Sequence, residues 1–489
     1  MIKRFLKDSI IYSLGPILTR GIQIILLPIY TRILTTSEYG TIDLLSIIGS
    51  FINIMIGLEI SQGFARYYSD SRDAKEKVQY SSTSFWFIVL SYSIFLLIAL
   101  SFSGYFTHVI LGTAYSPVVF QVASVSIFGS GLLLYLQNQL RFYLKSKLFA
   151  AVSIIFVLVS SATTLLLLVV FKSGVTGYFL GSAFGYTAAV TLSWYFSREN
   201  YHFVFDWAKF KEMLSFSAPL IPSSIGVIIL LYVDRIAIKS LMSLEYVGVF
   251  GRAYGFAALI NIVLAGFQTA IAPLIYHNYK SSDTPGELAK IFRYFLSVVI
   301  SFILAISIFS GEALKLFTTP AYLGAAKVIP IISFATLFMS MQAFTPGLPL
   351  AKKTKVIGLI NISAAVLNTI LCFTLIPIFG LTGAASSTFI SAFLIFFFNM
   401  HFSQKHFYVP HKWKKIIPAF LAAMAIIAFN FSFLGFSSLS LIAKNLFKMV
   451  IWLLSSLLIL HILVDVNELR NIRKQLISYI DAQVTKLKS

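Results

Sequence analysis

The sequence predicts an all-α polytopic membrane protein with about fourteen transmembrane helices. Three observations support this prediction: the apolar composition, the long uncharged runs and the placement of the basic residues. The chain has 489 residues, of which 58% are hydrophobic and 11% are charged, and its mean hydropathy is +0.86. One soluble core could not bury that much apolar surface, so the protein is expected to reside in lipid.

The uncharged runs have the length of membrane-spanning helices. Residues 85–102 and 154–171 carry no charge, and a helix needs roughly 18 to 20 apolar residues to cross a hydrocarbon core of ~30 Å. Barrel strands would instead alternate over ~10 residues, so helices are expected. The predicted spans begin near residues 10, 41, 80, 117, 149, 175, 213, 247, 291, 325, 356, 381, 416 and 444.

The net charge of +20 indicates topology and not nucleic-acid binding. Most of the 38 basic residues fall in one set of alternating loops, the set that includes the N-terminus with Lys3, Arg4 and Lys7. The other loops contain few lysines and arginines. By the positive-inside rule, both termini are expected to face the cytoplasm.

Three short motifs recur in the same order at nearly one spacing of roughly 207 residues, which predicts an internal duplication. The first pair consists of TTSEYG, at residues 35–40, and SLEYVG, at residues 243–248. The matched positions are Glu38-Tyr39 with Glu245-Tyr246, Lys145–Lys147 with Lys353–Lys355, and Gly174–Gly177 with Gly380–Gly383.

The duplication predicts two six-helix lobes, at residues 1–205 and 206–410. Six is an even number, so the repeats run parallel, and a substrate path is expected at their interface. Residues 411–464 form an additional two-helix hairpin outside the duplication. Residues 465–489 are predicted to form a cytoplasmic amphipathic tail.

Polar residues within the predicted spans are candidates for the substrate path, because charge in the membrane is costly. Arg20 falls near the middle of the first span, and Gln23 follows within a turn. Arg252 lies in the eighth span, and Asn53 belongs to a polar stripe on the second. Arginine suits phosphate because its planar fork binds two oxygens and stays charged. We predict that these four residues line a cavity for an anionic headgroup.

Two membrane carboxylates are candidates for a coupling site or for counter-ions. They are Glu59, in the second span, and Asp234, near the outer end of the seventh. In the alternative interpretation Asp234 and Arg252 form a structural ion pair, since they lie at similar depth on consecutive spans. Arg235 is close enough to a boundary that we expect its side chain to snorkel to the surface.

Sequence motifs for catalysis are absent. The chain has no Gly-Lys-Ser/Thr phosphate loop, its one cysteine is Cys372, and the spacing of His401, His406 and His411 does not fit a metal site. The outward loops are too short for the catalytic residues of a glycan polymerase or ligase. We therefore predict a protein that is not an enzyme, with no cofactor and no metal.

Four segments together resemble the polysaccharide transporters and O-antigen flippases of the multidrug/oligosaccharidyl-lipid/polysaccharide exporter superfamily. These segments are LGPILTRGIQIILLPIYTRILTTSEYGTIDLL, LYVDRIAIKSLMSLEYVGVFGRAYG, LAKKTKVIGLINISAAVLNTILCF and IPIFGLTGAASSTFIS. The resemblance covers almost the whole chain. It implies a V-shaped pair of six-helix lobes with two extra C-terminal helices, in the cytoplasmic membrane of a prokaryote.

The implied task is to flip a polyprenyl-pyrophosphate-linked oligosaccharide, such as an O-antigen repeat for lipopolysaccharide, to the outer leaflet. Family members keep cationic residues in the central cavity, which agrees with the independent interpretation of Arg20 and Arg252. Expected partners are the lipid-linked glycan, membrane lipids and a polysaccharide polymerase. The alternative is a cation-coupled multidrug antiporter of the same fold, with Glu59 or Asp234 as its ion site.

Overall fold

The computed structural model describes residues 19, 21–22, 25–71, 73–143, 145–261, 263–264, 275, 281–351, 353–433, 441–465 and 468. Throughout these ranges the regular secondary structure is helical, without a strand. The prediction of an all-α polytopic membrane protein is confirmed. The chain divides into two compact units, which are described one at a time.

The first unit comprises Met1–Gly251, Leu316–Tyr322 and Asn368–Leu381. It extends past residue 205, and the predicted lobe boundaries stay a prediction. Its helices are α1 (25–33), α2 (Thr36–Gly57), α3 (Ile60–Asp70), α4 (Ala74–Ser101), α5 (Ser103–Leu111), α6 (Pro117–Phe142), α7 (Ser146–Val169), α8 (Gly174–Ser197), α9 (Trp207–Ser217), α10 (Ile221–Leu241) and the start of α11 (Leu244–Ala257). Short 3-10 turns at Arg198–Asn200 and Ala218–Leu220 precede α9 and α10.

The second unit comprises Arg252–Lys315, Leu323–Leu367 and Thr382–Ser489. Its helices, some of which begin or end in the first unit, are α12 (Thr284–Ile308), α13 (Ser310–Phe317), α14 (Ile329–Ser340), α15 (Gly347–Leu350), α16 (Thr354–Phe379), α17 (Leu381–His406), α18 (Trp413–Phe433) and α19 (Leu441–Leu463). The 3-10 segments Pro320–Lys327 and Met341–Phe344 connect α13 to α14 and α14 to α15.

Ten helical segments in the described ranges are long and apolar enough to cross a membrane. The pair α9 and α10, bent by 45°, would make an eleventh span. Helix α8 occupies the predicted sixth span with 24 residues. Most of the first predicted span, and the tail beyond residue 465 apart from Glu468, lie outside the described residues.

Helix starts follow from capping residues in the sequence. The TTSEYG motif is a capping box: the Glu38 amide donates to Thr35 Oγ1 at 3.2 Å, and the Thr35 amide donates to Glu38 Oε2 at 2.8 Å. These two bonds satisfy donors that the first turn of α2 would leave without partners. Asp73, Ser116 and Asp206 cap α4, α6 and α9 in a similar manner.

The two copies of the repeated motif meet in the first unit, where α2 crosses the start of α11. A Cβ atom added to Gly40 would lie 1.9 Å from the Leu244 carbonyl oxygen. A Cβ atom added to Gly248 would lie 2.1 Å from the Thr36 carbonyl oxygen. The contact is therefore reciprocal, because the glycine at the end of each motif lies against a carbonyl group near the start of the other. Only glycine permits the backbones to approach this closely.

The C-terminal hairpin is part of the core of the second unit. Ala419 and Ala423 of α18 and Ile459 and Leu463 of α19 are fully buried in the cluster that surrounds α12. The Trp452 indole N–H donates to the Ser301 carbonyl oxygen at 3.0 Å. Lys448 of α19 forms an ion pair with Glu312 of α13 at 2.8 Å. The hairpin is thus fixed to the second unit by both apolar and polar contacts.

Candidate functional site

The first unit contains a cluster of charged side chains at membrane depth. Arg235 of α10 lies between Asp43 of α2 and Asp234, its neighbour along the chain. Its Nη1 donates to Asp234 Oδ1 at 3.1 Å, and its Nε lies 3.4 Å from Asp43 Oδ2. Asp234 is fully buried and Arg235 is 4% exposed. The expectation that Arg235 snorkels is therefore wrong, because two carboxylates compensate its charge inside the protein.

The surroundings of this cluster are tightly packed. Gly251 of α11 lies against the carboxylate of Asp43, since an added Cβ atom would be 2.7 Å from Oδ2. The Arg235 guanidinium also lies over the rings of Tyr232 and Phe250, at 5.4 and 5.6 Å. Aromatic faces attract a cation, so these rings add to the stabilisation of the buried charge.

Depth explains why these groups meet. Asp43 lies seven residues after Thr36, where α2 begins, which is about 10 Å along the helix axis. Asp234 lies seven residues before Leu241, where α10 ends. The two ends are on the same side of the unit, because α11 starts directly after α10 and contacts the start of α2. Equal depth on facing helices places opposite charges together.

Sequence reasoning missed Asp43 and the buried position of Arg235 as parts of one cluster. A usable signal was present, since both residues lie about two turns from loops that are on the same side of the membrane. The pairing of Asp234 with Arg252, which belong to different units, stays a prediction.

Glu59 lies at a break between two helices. Leu58 and Glu59 both have a left-handed backbone conformation, with φ of 46° and 51°, and α3 begins at the next residue. Glu59 Oε1 accepts a hydrogen bond of 2.7 Å from Ser224 Oγ of α10. Two successive residues other than glycine in this region store conformational energy, a feature often found at functional sites.

Asn53 is placed by two neighbouring helices of the first unit. Its Nδ2 donates to Ser130 Oγ at 3.2 Å, and its Oδ1 accepts from the Tyr92 hydroxyl at 2.9 Å. These bonds connect α2 to α6 and α4. One amide N–H and one oxygen lone pair remain for a ligand.

The remaining predicted residues are distributed differently. Arg20 and Gln23 lie outside the described residues. Arg252 is half-buried on α11 and is the first residue of the second unit. The described part of the chain thus places Asp234 in the charged cluster, and gives Asn53 and Glu59 separate partners. In that part, no three His, Cys, Asp or Glu side chains lie close enough to hold a metal ion.

A family model for polysaccharide biosynthesis proteins matches residues 5–279, more than half of the chain. The chain belongs to this family. The match includes α1 to α11 and therefore the whole charged cluster.

A curated relative is also similar over part of the chain. It is the uncharacterized membrane protein MJ1068 of Methanocaldococcus jannaschii, 25% identical over 252 residues. The matched region is 48% of this chain and 47% of the relative. The match thus spans about half the length of that relative.

Solved structures of the same fold cover most of the chain. The lipid II flippase MurJ, in an inward closed conformation, has a TM-score of 0.67 and 16% identity, over 92% of this chain and 99% of that one. An inward-facing multidrug resistance MATE family transporter of the MOP superfamily has a TM-score of 0.62 and 14% identity, over 81% and 93%. A MOP superfamily transporter from Pyrococcus furiosus has a TM-score of 0.59 and 14% identity, over 82% and 95%. These likenesses establish the fold.

Proposed function

We propose that this protein is a flippase for a polyprenyl-pyrophosphate-linked oligosaccharide, such as an O-antigen or another surface-polysaccharide repeat unit. It would act in the cytoplasmic membrane of a prokaryote, with both termini in the cytoplasm, and it would leave the substrate chemically unchanged. Membership of the polysaccharide biosynthesis family and the fold of a lipid II flippase support this proposal.

The observation that carries the proposal is the buried charged cluster of Asp43, Arg235 and Asp234. A membrane protein maintains charges at this depth at considerable cost, typically where a polar or ionic substrate crosses. Arg252 follows Gly251, the residue that packs against Asp43. The predicted cationic contacts Arg20 and Arg252 would bind the pyrophosphate, with Gln23 and Asn53 as hydrogen-bond partners for the headgroup.

In the mechanism we propose, an inward-facing cleft admits the sugars and the pyrophosphate while the polyprenyl tail stays in lipid. A change to an outward-facing state then exposes the headgroup outside. Glu59 and Asp234 would serve as coupling or counter-ion carboxylates. The strained backbone at Leu58 and Glu59 is a suitable bending point, because it separates α2 from α3.

The decisive experiment compares cells with and without the gene. Polyprenyl-linked glycans are extracted, and their leaflet is determined with a membrane-impermeant lectin or periodate. We expect a lipid-linked repeat to accumulate on the cytoplasmic side and surface polysaccharide to be lost. An unchanged lipid pool and unchanged surface glycan would contradict the proposal.

The role of the arginines is tested by complementation with an Arg20→Ala, Arg252→Ala double variant. We expect it to be as abundant as the wild type and to export little glycan. Arg32→Ala is the control, since Arg32 is exposed, and it should export normally. Normal export by the double variant would refute the role of both arginines.

A cation-coupled multidrug antiporter is the second candidate, favoured by one observation. Asp234 is a fully buried carboxylate on a membrane-spanning helix, as an ion site would require. Expression in a drug-sensitive host tests this function. Resistance to organic cations that is abolished by Asp234→Asn in a variant as abundant as the wild type would favour it over the flippase.

A further inference from the structure

Tyr92 of α4 is a buried tyrosine whose hydroxyl group contacts Asn53 of α2. The residue is 1% exposed. Its hydroxyl donates to Asn53 Oδ1 at 2.9 Å and lies 3.3 Å from the Asn53 carbonyl oxygen. On the other side of the amide, Asn53 Nδ2 donates to Ser130 Oγ of α6 at 3.2 Å. The Asn53 side chain is thus held between α4 and α6 by two hydrogen bonds.

The direction of the hydrogen bonds determines which way the Asn53 amide faces. The Ser130 hydroxyl donates to the Ile127 carbonyl oxygen at 2.8 Å, and a carbonyl oxygen can only accept. Ser130 Oγ therefore has no hydrogen left for Asn53 and accepts from its Nδ2. The amide oxygen is consequently on the side of Tyr92, where it accepts the hydroxyl hydrogen. A rotated amide would place two acceptors against each other at Ser130.

The position of the Tyr92 ring depends on Gly131 of α6. A Cβ atom added to Gly131 would lie 2.1 Å from both Cε1 and Cζ of the ring. The ring thus lies directly on the α6 backbone, and a larger residue at this position would displace it. Gly129 makes a similar contact with Tyr186 of α8, since its added Cβ atom would be 2.7 Å from the Tyr186 Cβ atom. Helix α6 therefore has two contacts between a glycine and a tyrosine, and one of them bears on Asn53.

The accessible part of this face of α2 offers uncharged hydrogen-bonding groups. Asn53 is half-buried, and in the described ranges its second Nδ2 hydrogen has no acceptor. Ser50 and Ser46 follow one and two turns away along the helix. Their hydroxyls donate to the carbonyl oxygens of Ser46 and Ile42, at 3.0 and 2.7 Å. Their oxygen atoms therefore remain as acceptors, next to the N–H donor of Asn53.

These groups suit a sugar better than a pyrophosphate. Sugar hydroxyls both donate and accept, so they can bind the serine oxygens and the Asn53 N–H. A pyrophosphate diester has no hydrogen to donate, and it could bind the serines only if their hydrogens left the backbone carbonyl groups. Asn53 also follows Asp43 by ten residues, which is ~15 Å along the axis of α2. The amide is therefore well separated from the charged cluster.

Starting from the proposed flippase function, we propose that Tyr92 is a positioning residue for the sugar part of the substrate. It fixes the Asn53 amide so that one N–H is presented to a sugar oxygen. Tyr92 is buried and acts through Asn53, as a supporting hydrogen bond does when it orients a binding group. Without the hydroxyl, the amide would be held by the bond to Ser130 alone. The donor would then be less well oriented, and the sugar would be bound less tightly.

The test uses calorimetric titration of the purified full-length chain in detergent with two probes. One is farnesyl pyrophosphate, and the other is farnesyl pyrophosphate linked to N-acetylglucosamine. The ratio of the two dissociation constants measures the contribution of the sugar, and we expect the wild type to prefer the glycosylated probe. In Tyr92→Phe this preference should fall by about fivefold, the usual contribution of one hydrogen bond. Gly131→Ala displaces the ring without removing the hydroxyl, and it should lower the preference as well.

Gly129→Ala is the matched control, because it crowds Tyr186 from the same helix, and it should keep the wild-type preference. In an Asn53→Leu background, Tyr92→Phe should cause no further fall, since Tyr92 acts through Asn53. Gel filtration checks that each variant is folded.

Three results would overturn the positioning role: an unchanged preference in Tyr92→Phe, an equal fall in Gly129→Ala, or a further fall in the Asn53→Leu background. Equal binding of both probes by the wild type would also overturn it, because the sugar would then make no contact, whereas the flippase proposal would keep the support of pyrophosphate binding. Binding of neither probe would count against both proposals.

Discussion

At the scale of the residue, Arg235 compensates the charge of one fully buried and one half-buried carboxylate. Asp234 is fully buried, and Asp43 is 24% exposed. Removal of one partner from a buried ion pair leaves an uncompensated charge, which costs more than the intact pair contributes. The cluster is therefore a requirement for folding as well as a candidate for function.

We predict that Arg235→Met destabilises the protein by about 3 to 5 kcal/mol. The measurement is the fraction that remains monodisperse in detergent after heating. Arg32→Met, at an exposed arginine, should behave as the wild type. Adding Asp43→Asn and Asp234→Asn to Arg235→Met should restore part of the stability. A heat-stable Arg235→Met variant would contradict the ion-pair interpretation.

His411 makes a second prediction at this scale, outside the membrane-spanning segments. Its ring packs edge-to-face on Phe292 at 4.7 Å, and burial lowers its pKa from the ordinary 6.5 to about 4. The unfolded chain therefore gains a proton at higher pH than the folded chain does. Stability is complete above about pH 6.5 and falls as the pH decreases towards 4.

Between pH 7.5 and pH 5 the loss attributable to His411 should be about 2 kcal/mol. His411→Phe keeps the ring and removes the titration, so the heat stability of this variant should depend less on pH in that range. His406→Phe, at an exposed histidine, is the control and should keep the wild-type dependence. The prediction is refuted if His411→Phe and the wild type lose the same stability on acidification.

At the scale of the element, the crossing of α2 and α11 depends on two glycines. Gly40 and Gly248 allow each backbone to contact a carbonyl group of the other helix. The sequence predicted equivalent turns in two repeats from TTSEYG and SLEYVG. It did not predict that the two copies touch. The spacing of a repeat along the sequence does not give the distance between its copies in the folded protein.

We predict that Gly248→Ala destabilises the first unit by about 1 to 3 kcal/mol, because the helices must separate to admit the methyl group. Its Cβ atom would be 2.1 Å from the Thr36 carbonyl oxygen. Gly255→Ala on the same helix is the matched control, since its Cβ atom meets nothing within 4 Å. Heat stability in detergent should fall for the first variant and not for the second. Equal values would show that the crossing is loosely packed.

At the scale of the whole molecule, the C-terminal hairpin is an integral part of the second unit. The sequence placed residues 411–464 outside the duplication, as an addition to a twelve-helix protein. In the structure, the hairpin completes the core around α12 and contributes the partner of Glu312. Its removal would expose fully buried faces of the remaining helices.

We predict that a chain truncated after residue 410 does not yield a monodisperse protein in detergent, because the core around α12 loses its cover. A chain truncated after residue 470 keeps α18, α19 and the contact between Arg293 and Glu468 at 2.7 Å. That chain should behave as the full-length protein in gel filtration. If the shorter chain is also monodisperse and heat-stable, the hairpin is an accessory and not part of the core.

The sequence by itself determined the helical class, the approximate spans, the repeated motifs and the membership of the polysaccharide biosynthesis family. These properties follow from composition, from runs of apolar residues and from local capping chemistry, all of which are short-range along the chain. Only the tertiary structure decided which charges meet. Asp43 and Arg235 are 192 positions apart, and they meet only because α2 and α10 pack against each other. Helix rotation and packing decide such contacts, and hydropathy contains no information about either.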